Sequence, residues 1–322
     1  MSIDERAGIS RRRRTMGAGA AVATGAGLAL QSRLTGELGT RLGDGVTASL
    51  ISTSIGMFLL LTLVPALPAG RRGTRMLFSA LRNGGLRPWH CAGGVCGALF
   101  VAGQGISVGA LGVAVFTVAV VGGTAVGSLA VDHRGLGPAG HQPITAVRVG
   151  CAMACVAAVA LAGFDRMSGA VSPVLLLLPV LAGAGIALQS AVNGRVAAAT
   201  GSPWPATLLN FVVAAITLSV VLLVELALGG GPAGALPAEP RLYLAGLLGV
   251  AAITVATLVV RYLGVLVFGL AGVAGQLLGA VVIDLVAPGP RPTALTWIGA
   301  ALTLAAVMLV ARSGAVTRSG RG

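Results

Sequence analysis

Lysine is absent from this sequence, so that all 22 basic residues of the 322-residue chain are arginine. A Walker A motif needs a lysine to reach the nucleotide phosphates, and Schiff-base and pyridoxal phosphate sites need a lysine amine. The sequence therefore excludes ATP hydrolysis at a P-loop and several classes of cofactor enzyme.

Charged and metal-ligating residues are also scarce. Only 10% of the residues are charged, nine of them acidic, and the chain has three histidines and four cysteines. Cys151 and Cys155 are one helical turn apart, but no histidine or second cysteine pair completes a ligand set at a known spacing. We find no converging acid, base or metal residues, and we predict no enzymatic activity, no metal and no cofactor.

Hydrophobic residues, by contrast, make up 56% of the chain, in runs longer than 18 residues. Such runs are typical of a polytopic membrane protein. The 50 glycines fit this class, because helices in lipid approach each other closely at small residues. Gly123 with Gly127, and Gly275 with Gly279, show the small-xxx-small spacing of such contacts.

The apolar runs predict an all-α membrane protein with ten transmembrane helices. We place the spans near 16–36, 45–66, 90–109, 112–131, 147–164, 172–192, 205–226, 242–260, 264–285 and 294–311. The third and fourth spans form one uncharged block, and we expect their turn near Gly109 to Gly112.

The arginines predict the orientation. With both termini in the cytoplasm, 17 arginines fall on the inner side and five on the outer side. This distribution follows the positive-inside rule and explains the net charge of +13 without nucleic acid. We therefore expect a multi-pass protein of the cytoplasmic membrane.

The chain contains an internal repeat. GAGLALQSRLTGELGTRLGDGVTASLIST (Gly25–Thr53) aligns without a gap with GAGIALQSAVNGRVAAATGSPWPATLLNF (Gly183–Phe211), and 94–133 aligns with 246–285. Five spans per copy is an odd number, so the second copy should enter the membrane upside down, as in secondary transporters. The predicted segments are a basic N-terminal tail, two inverted five-helix repeats and a basic C-terminal tail: 1–15, 16–166, 167–311 and 312–322.

Polar residues inside the spans are the candidate site residues, because each needs a partner away from lipid. Amides of this kind bind substrate or hold helices together. They are Gln31, Gln104, Gln189, Asn193, Asn210 and Gln276. Asp132 and Asp284 close equivalent helices at the C-terminal end, where the helix dipole disfavours a negative charge. They are candidates for ion coupling, or interfacial residues bonded to a loop.

The sequence also resembles a known family. GIALQSAVNGRVAAATGSPWPATLLNF, VAGQLLGAVVIDLVAPG (Val273–Gly289) and VGGTAVGSLAVDHRGLG (Val121–Gly137) are similar to the YdcZ-type inner-membrane exporters of the drug/metabolite transporter (DMT, EamA-like) superfamily. The resemblance implies ten helices in two inverted repeats, with helices three, four, eight and nine around a central cavity. It implies that four residues lie near this cavity: Gln104, Thr124, Thr257 and Gln276. The first copy departs from the family pattern, with Thr35 in place of Asn193 and Ser52 in place of Asn210.

Together these features predict a secondary transporter that exports a small molecule by alternating access between the repeats. The expected partners are a small-molecule substrate, the lipid bilayer and a second copy of the chain in a homodimer, without nucleic acid. The alternative is a non-transport scaffold or lipid-binding protein, in which the intramembrane amides only hold helices together.

Overall fold

The chain folds as a bundle of α-helices. A computed structural model describes residues 3–138, 140–167, 172–263, 265–289 and 291–319, and within these ranges it has no β-strand. The helices are α1 (Ile3–Leu42), α2 (Gly45–Ala66), α3 (Pro68–Arg82), α4 (Gly93–Leu111), α5 (Val113–His133), α6 (Ala146–Met167), α7 (Pro173–Thr200), α8 (Pro203–Ala227), α9 (Ala245–Leu263), α10 (Val265–Val286) and α11 (Ala294–Ser319). Short 3₁₀ turns at Pro88–Ala92 and Pro240–Leu244 precede α4 and α9.

Six helical stretches in the described ranges are long and apolar enough to cross a membrane. They are Gly45–Ala66, Pro88–Leu111, Val113–His133, Ala146–Phe164, Val174–Thr200 and Pro203–Ala227. Shorter apolar stretches occur at Pro240–Ala252, Ala271–Val286 and Ala294–Ala306. The turn between α4 and α5 lies at Gly112, whose φ of +84° is accessible mainly to glycine. This position falls inside the predicted turn.

Helix α3 was not predicted from the sequence. It carries Arg71, Arg72, Arg75 and Arg82 within 15 residues, so a search for long apolar runs passes over it. Its buried residues Gly70, Gly73 and Leu77 have the spacing of one helix face. This face packs against α2, α7 and α8.

The first helix of each half packs against a helix of the other half. Helix α1 packs along α10, and α7 packs along α5. A Cβ added to Gly123 of α5 would come closer than 3.0 Å to the backbone of Val180, and one added to Gly275 of α10 would come equally close to Val22. Because these two contacts are equivalent by the repeat, the same glycine packing occurs twice.

The two ends of the bundle differ in charge. One end of the bundle, here called the mixed-charge end, carries both arginines and acids, some of which form ion pairs such as Arg41–Glu239. It contains Arg33, Arg41, Arg241, Arg291, Glu37, Asp44, Glu225, Glu239 and Asp284. The other end, here the basic end, contains α3 and the α5–α6 connection. Its described charges are Arg71, Arg72, Arg75, Arg82, Arg87, Arg134, Arg148, Arg195 and Asp132.

The glycine packing predicts an effect on stability. Gly123→Ala places a methyl group against the Val180 carbonyl and should cost about 1–3 kcal/mol of unfolding free energy, through overpacking. Gly150→Ala is the matched control, because this helical glycine is exposed with nothing within 4 Å of an added Cβ. Thermal unfolding in detergent measures both variants. A Gly123→Ala protein as stable as the control would contradict the prediction.

Candidate functional site in a cavity between the halves

A central cavity of about 300 Å³ lies between α1, α2, α4, α7, α8 and α9. Its described lining is Thr24, Leu28, Gln31, Ser52, Thr53, Gly97, Phe100, Val101, Ile186, Gln189, Asn210, Phe211, Ala214, Gly246, Gly249 and Ala252. None of these residues is charged. A volume of this size is at the lower end of the range for small-molecule sites.

The cavity wall is built from pairs of residues that the repeat makes equivalent. The pairs are Leu28 with Ile186, Gln31 with Gln189, Ser52 with Asn210, Thr53 with Phe211, Gly97 with Gly249, and Phe100 with Ala252. Both halves therefore contribute the same six positions, which account for twelve of the sixteen described lining residues. A cavity lined in this way lies where the two halves face each other.

Two glutamines occupy equivalent places in this wall, each beside a glycine of the other half. An added Cβ on Gly249 would lie 3.2 Å from Oε1 of Gln31, and one on Gly97 would lie 3.2 Å from Oε1 of Gln189. A side chain at either glycine would crowd the amide, which would have to shift by a few tenths of an ångström. Each half thus positions one glutamine on its first helix, α1 or α7. The glycine that makes room for the glutamine of the other half lies on α4 or α9.

Both glutamine side chains present an oxygen that has no partner among the described residues. Gln31 is 8% exposed, and its Oε1 is buried without a hydrogen bond to the described residues, as is Oε1 of Gln189. The hydroxyls of Ser52 and Thr53 are in the same state. A buried polar group without a partner costs about 1–3 kcal/mol, so a ligand that supplies donors to these oxygens would recover that energy.

Asn210 and Asn193 form a second polar pair at the cavity. Nδ2 of Asn193 donates to Oδ1 of Asn210 over 3.1 Å, which joins α7 to α8. Oδ1 of Asn193 lies 2.6 Å from the place of a Cβ on Gly93, so α4 also approaches this pair closely. Asn210 lines the cavity, whereas Asn193 contacts Asn210 but is not among the lining residues.

Other residues singled out from the sequence lie in helix interfaces. Gln104 is fully buried in α4, and its Nε2 donates to Oγ of Ser32 over 2.8 Å. The Thr124 hydroxyl donates to the Gly183 carbonyl of α7 over 3.0 Å. Gln276 lies on α10, with its backbone nitrogen against Gly25 of α1. The side chain of Thr257 is outside the described part of the chain.

The cavity also differs from the one that the resemblance implied. The described lining comes from α1, α2, α4, α7, α8 and α9, which are the predicted spans one, two, three, six, seven and eight. The predicted fourth and ninth spans, α5 and α10, instead pack against α7 and α1. Sequence reasoning passed over the apolar half of the lining, such as Phe100 and Phe211. The repeat alignment could have indicated it, because twelve of the sixteen described lining residues have their repeat partner at the cavity as well.

Asp284 and Asp132 have different partners although the repeat makes them equivalent. Asp284 is 4% exposed and accepts hydrogen bonds from the backbone N–H groups of Val113 and Ala114, over 2.9 and 2.7 Å. It therefore caps the N-terminus of α5, where the helix dipole favours a negative charge. Asp132 instead forms an ion pair with Arg148 at the basic end.

An ion-pair network at the mixed-charge end joins α1 to the 3₁₀ turn that precedes α9. Glu37 accepts from Arg41 over 2.7 Å and from Arg241 over 2.8 Å, and Arg41 also pairs with Glu239. The hydrogen bond from Arg41 holds the pKa of the Glu239 carboxyl below its ordinary value. The Arg241–Glu37 and Arg41–Glu239 pairs join residues about 200 positions apart, so the local sequence could not indicate this network.

The cap on α5 predicts a loss of stability in Asp284→Ala. This variant leaves two buried N–H groups without an acceptor, which should cost about 2–4 kcal/mol of unfolding free energy. Asp132→Ala is the matched control. The Asp132–Arg148 ion pair that it removes is partly exposed, with side-chain exposures of 37% for Asp132 and 24% for Arg148. Such a pair should contribute less than about 1 kcal/mol to the free energy of unfolding. Equal losses in thermal unfolding would contradict the assignment.

Comparison with known proteins adds the family. No curated protein matches the sequence. The family model described as "Putative inner membrane exporter, YdcZ" matches the chain twice, over residues 16–161 and 174–309. Each half of the chain thus matches the family model, and together with the apolar helices the match indicates a multi-pass protein of the inner membrane. The chain belongs to the YdcZ family of inner-membrane exporters within the DMT superfamily.

Proposed function

We propose that the protein is a secondary transporter that exports small uncharged molecules by alternating access between its two halves. The observation that carries this proposal is the cavity wall, in which Gln31 and Gln189 present, from equivalent positions, oxygens without a partner among the described residues. A site on the boundary between two repeats is the usual location in transporters of this architecture. Membership of an exporter family supports the direction of transport.

The proposed architecture is ten spans in two inverted repeats. Six helical stretches meet the requirements of length and composition, and α1, α9, α10 and α11 pack among them. Helix α1 ends at Leu42 at the mixed-charge end, whereas the equivalent helix α7 ends at Thr200 near α3 at the basic end. Opposite directions of equivalent helices support the inversion.

The charges support an orientation. The described residues of the basic end carry eight arginines and one acid, whereas arginines and acids are mixed at the other end. Because arginine is retained on the cytoplasmic side, the basic end faces the cytoplasm, and so do both termini.

The cavity supports a class of substrate. Amides and hydroxyls offer hydrogen bonds, and Phe100 and Phe211 offer apolar surface, but the described lining has no side chain to neutralise an ion. A charge that is removed from water without a partner of opposite charge is costly. The substrate is therefore an uncharged molecule with hydrogen-bond donors and an apolar part.

Transport also requires a closed gate and a source of energy. At the mixed-charge end α1 and α4 approach closely, with Val108 against Gly36, and the Glu37 network lies beside this contact. Alternating access requires this contact to open for release. Without lysine the chain has no Walker A motif, so an ion gradient drives uphill export, with Asp132 and Asp284 as the coupling candidates.

The cavity predicts a loss of ligand binding in Gln189→Leu. A thermal-shift screen of the purified protein against charged and uncharged metabolites should yield uncharged ligands, each adding about 2.7 kcal/mol of stability at a hundred times its Kd. We expect Gln189→Leu and Gln31→Leu to lose this shift and the matching efflux from cells.

Gln104→Leu is the control for this experiment. It breaks the buried bond to Ser32 and should lower stability, yet its ligand shift should persist because Gln104 does not line the cavity. A shift retained in both cavity variants would move the site elsewhere. If no ligand binds and no solute is exported, the scaffold alternative replaces the transporter.

The orientation predicts which cysteines a membrane-impermeant maleimide reaches. In a cysteine-free background, Ala235→Cys in the exposed α8–α9 connection should be labelled in intact spheroplasts. His141→Cys in the exposed α5–α6 connection should be labelled only after permeabilisation. The reverse pattern would invert the topology, and labelling of both in intact spheroplasts would contradict an odd number of spans between them.

A further inference from the structure

The segment from Pro68 to Ala92, which contains α3, has a charge pattern that the transport proposal does not use. It carries five arginines, all exposed, and no acidic residue. Arg71 donates to the Pro65 carbonyl at the end of α2. Arg72, Arg75 and Arg82 form no salt bridge with any residue that the structure describes.

Helix α3 is held against the bundle by its opposite face. Gly70, Gly73 and Leu77 are buried, and an added Cβ on Gly73 would lie 2.8 Å from Pro205 of α8. The arginine face therefore has a fixed direction, away from the helices that α3 contacts.

Four residues of this outer face form a site by their spacing. Arg75, Phe78, Ser79 and Arg82 follow one another at i, i+3, i+4 and i+7, which places them on one side of the helix. Together with Asn83, whose Nδ2 donates to Oγ of Ser79 over 3.3 Å, they line an open depression of about 380 Å³. The Phe78 side chain is 62% exposed although it is large and apolar.

We propose that this depression binds the phosphate of an anionic phospholipid in the leaflet at the basic end, with Phe78 among the acyl chains. Arginine and hydroxyl donors match the phosphate oxygens. An amphipathic helix with arginines beside exposed apolar residues is suited to the membrane interface, where each basic residue adds about 1 kcal/mol of attraction to anionic lipid. A free phosphate ion would contact the arginines but not Phe78, whereas a lipid would contact both.

The test measures lipid binding to the detergent-purified full chain by native mass spectrometry. The probes are dioleoyl phosphatidylglycerol, dioleoyl phosphatidylcholine and inorganic phosphate. We expect tighter binding of the phosphatidylglycerol, weakened about fivefold in Arg82→Gln and about thirtyfold in Arg75→Gln with Arg82→Gln. Phe78→Ala should weaken binding of the lipid without changing the response to phosphate.

Arg134→Gln is the matched control, because Arg134 is also exposed at the basic end and its loss removes the same charge. It should bind phosphatidylglycerol like the wild type. Equal weakening in Arg82→Gln and Arg134→Gln would reduce the effect to general charge and overturn the site. Equal binding of both lipids, or displacement of the lipid by inorganic phosphate at equal concentration, would also overturn it. Each of these results is independent of whether the cavity transports a solute.

Discussion

Close contact between helices at glycine is the constraint on which the rest of this structure depends. Lipid provides no hydrophobic force to drive helices together, so their association relies on packing, and packing improves as backbones approach. Gly123 against Val180 and Gly275 against Val22 leave no room for a Cβ. These contacts bind α5 to α7 and α10 to α1, so each half of the chain is held by the first helix of the other.

Glycines also shape the cavity, which lies between α1, α2, α4, α7, α8 and α9. Gly97 and Gly249 make room for Gln189 and Gln31, whose buried oxygens have no partner among the described residues. These two oxygens, unlike the equally unpartnered Oε1 of Gln104, line the cavity, and the proposed function rests on this difference.

The two halves have diverged where their environments differ. Asn210 bonds to Asn193 in the second half, whereas the first half has Ser52 and Thr35 at these places. Asp284 caps α5, while its equivalent Asp132 pairs with Arg148 at the basic end. Residues that the repeat makes equivalent therefore have different partners at the two ends of the bundle.

The sequence by itself determined the class of this protein and its all-helical fold, because apolar runs, glycine spacing and the repeat are local patterns. It also indicated Gln31, Gln189 and Asn210, since a polar residue within an apolar span stands out. Only the tertiary structure decided that these three line one cavity while Gln104 and Thr124 bond within helix interfaces. A helical pattern fixes the face of a side chain but not the helix that it meets. For the same reason the two N–H groups held by Asp284, about 170 residues away along the chain, could not be read from its neighbours.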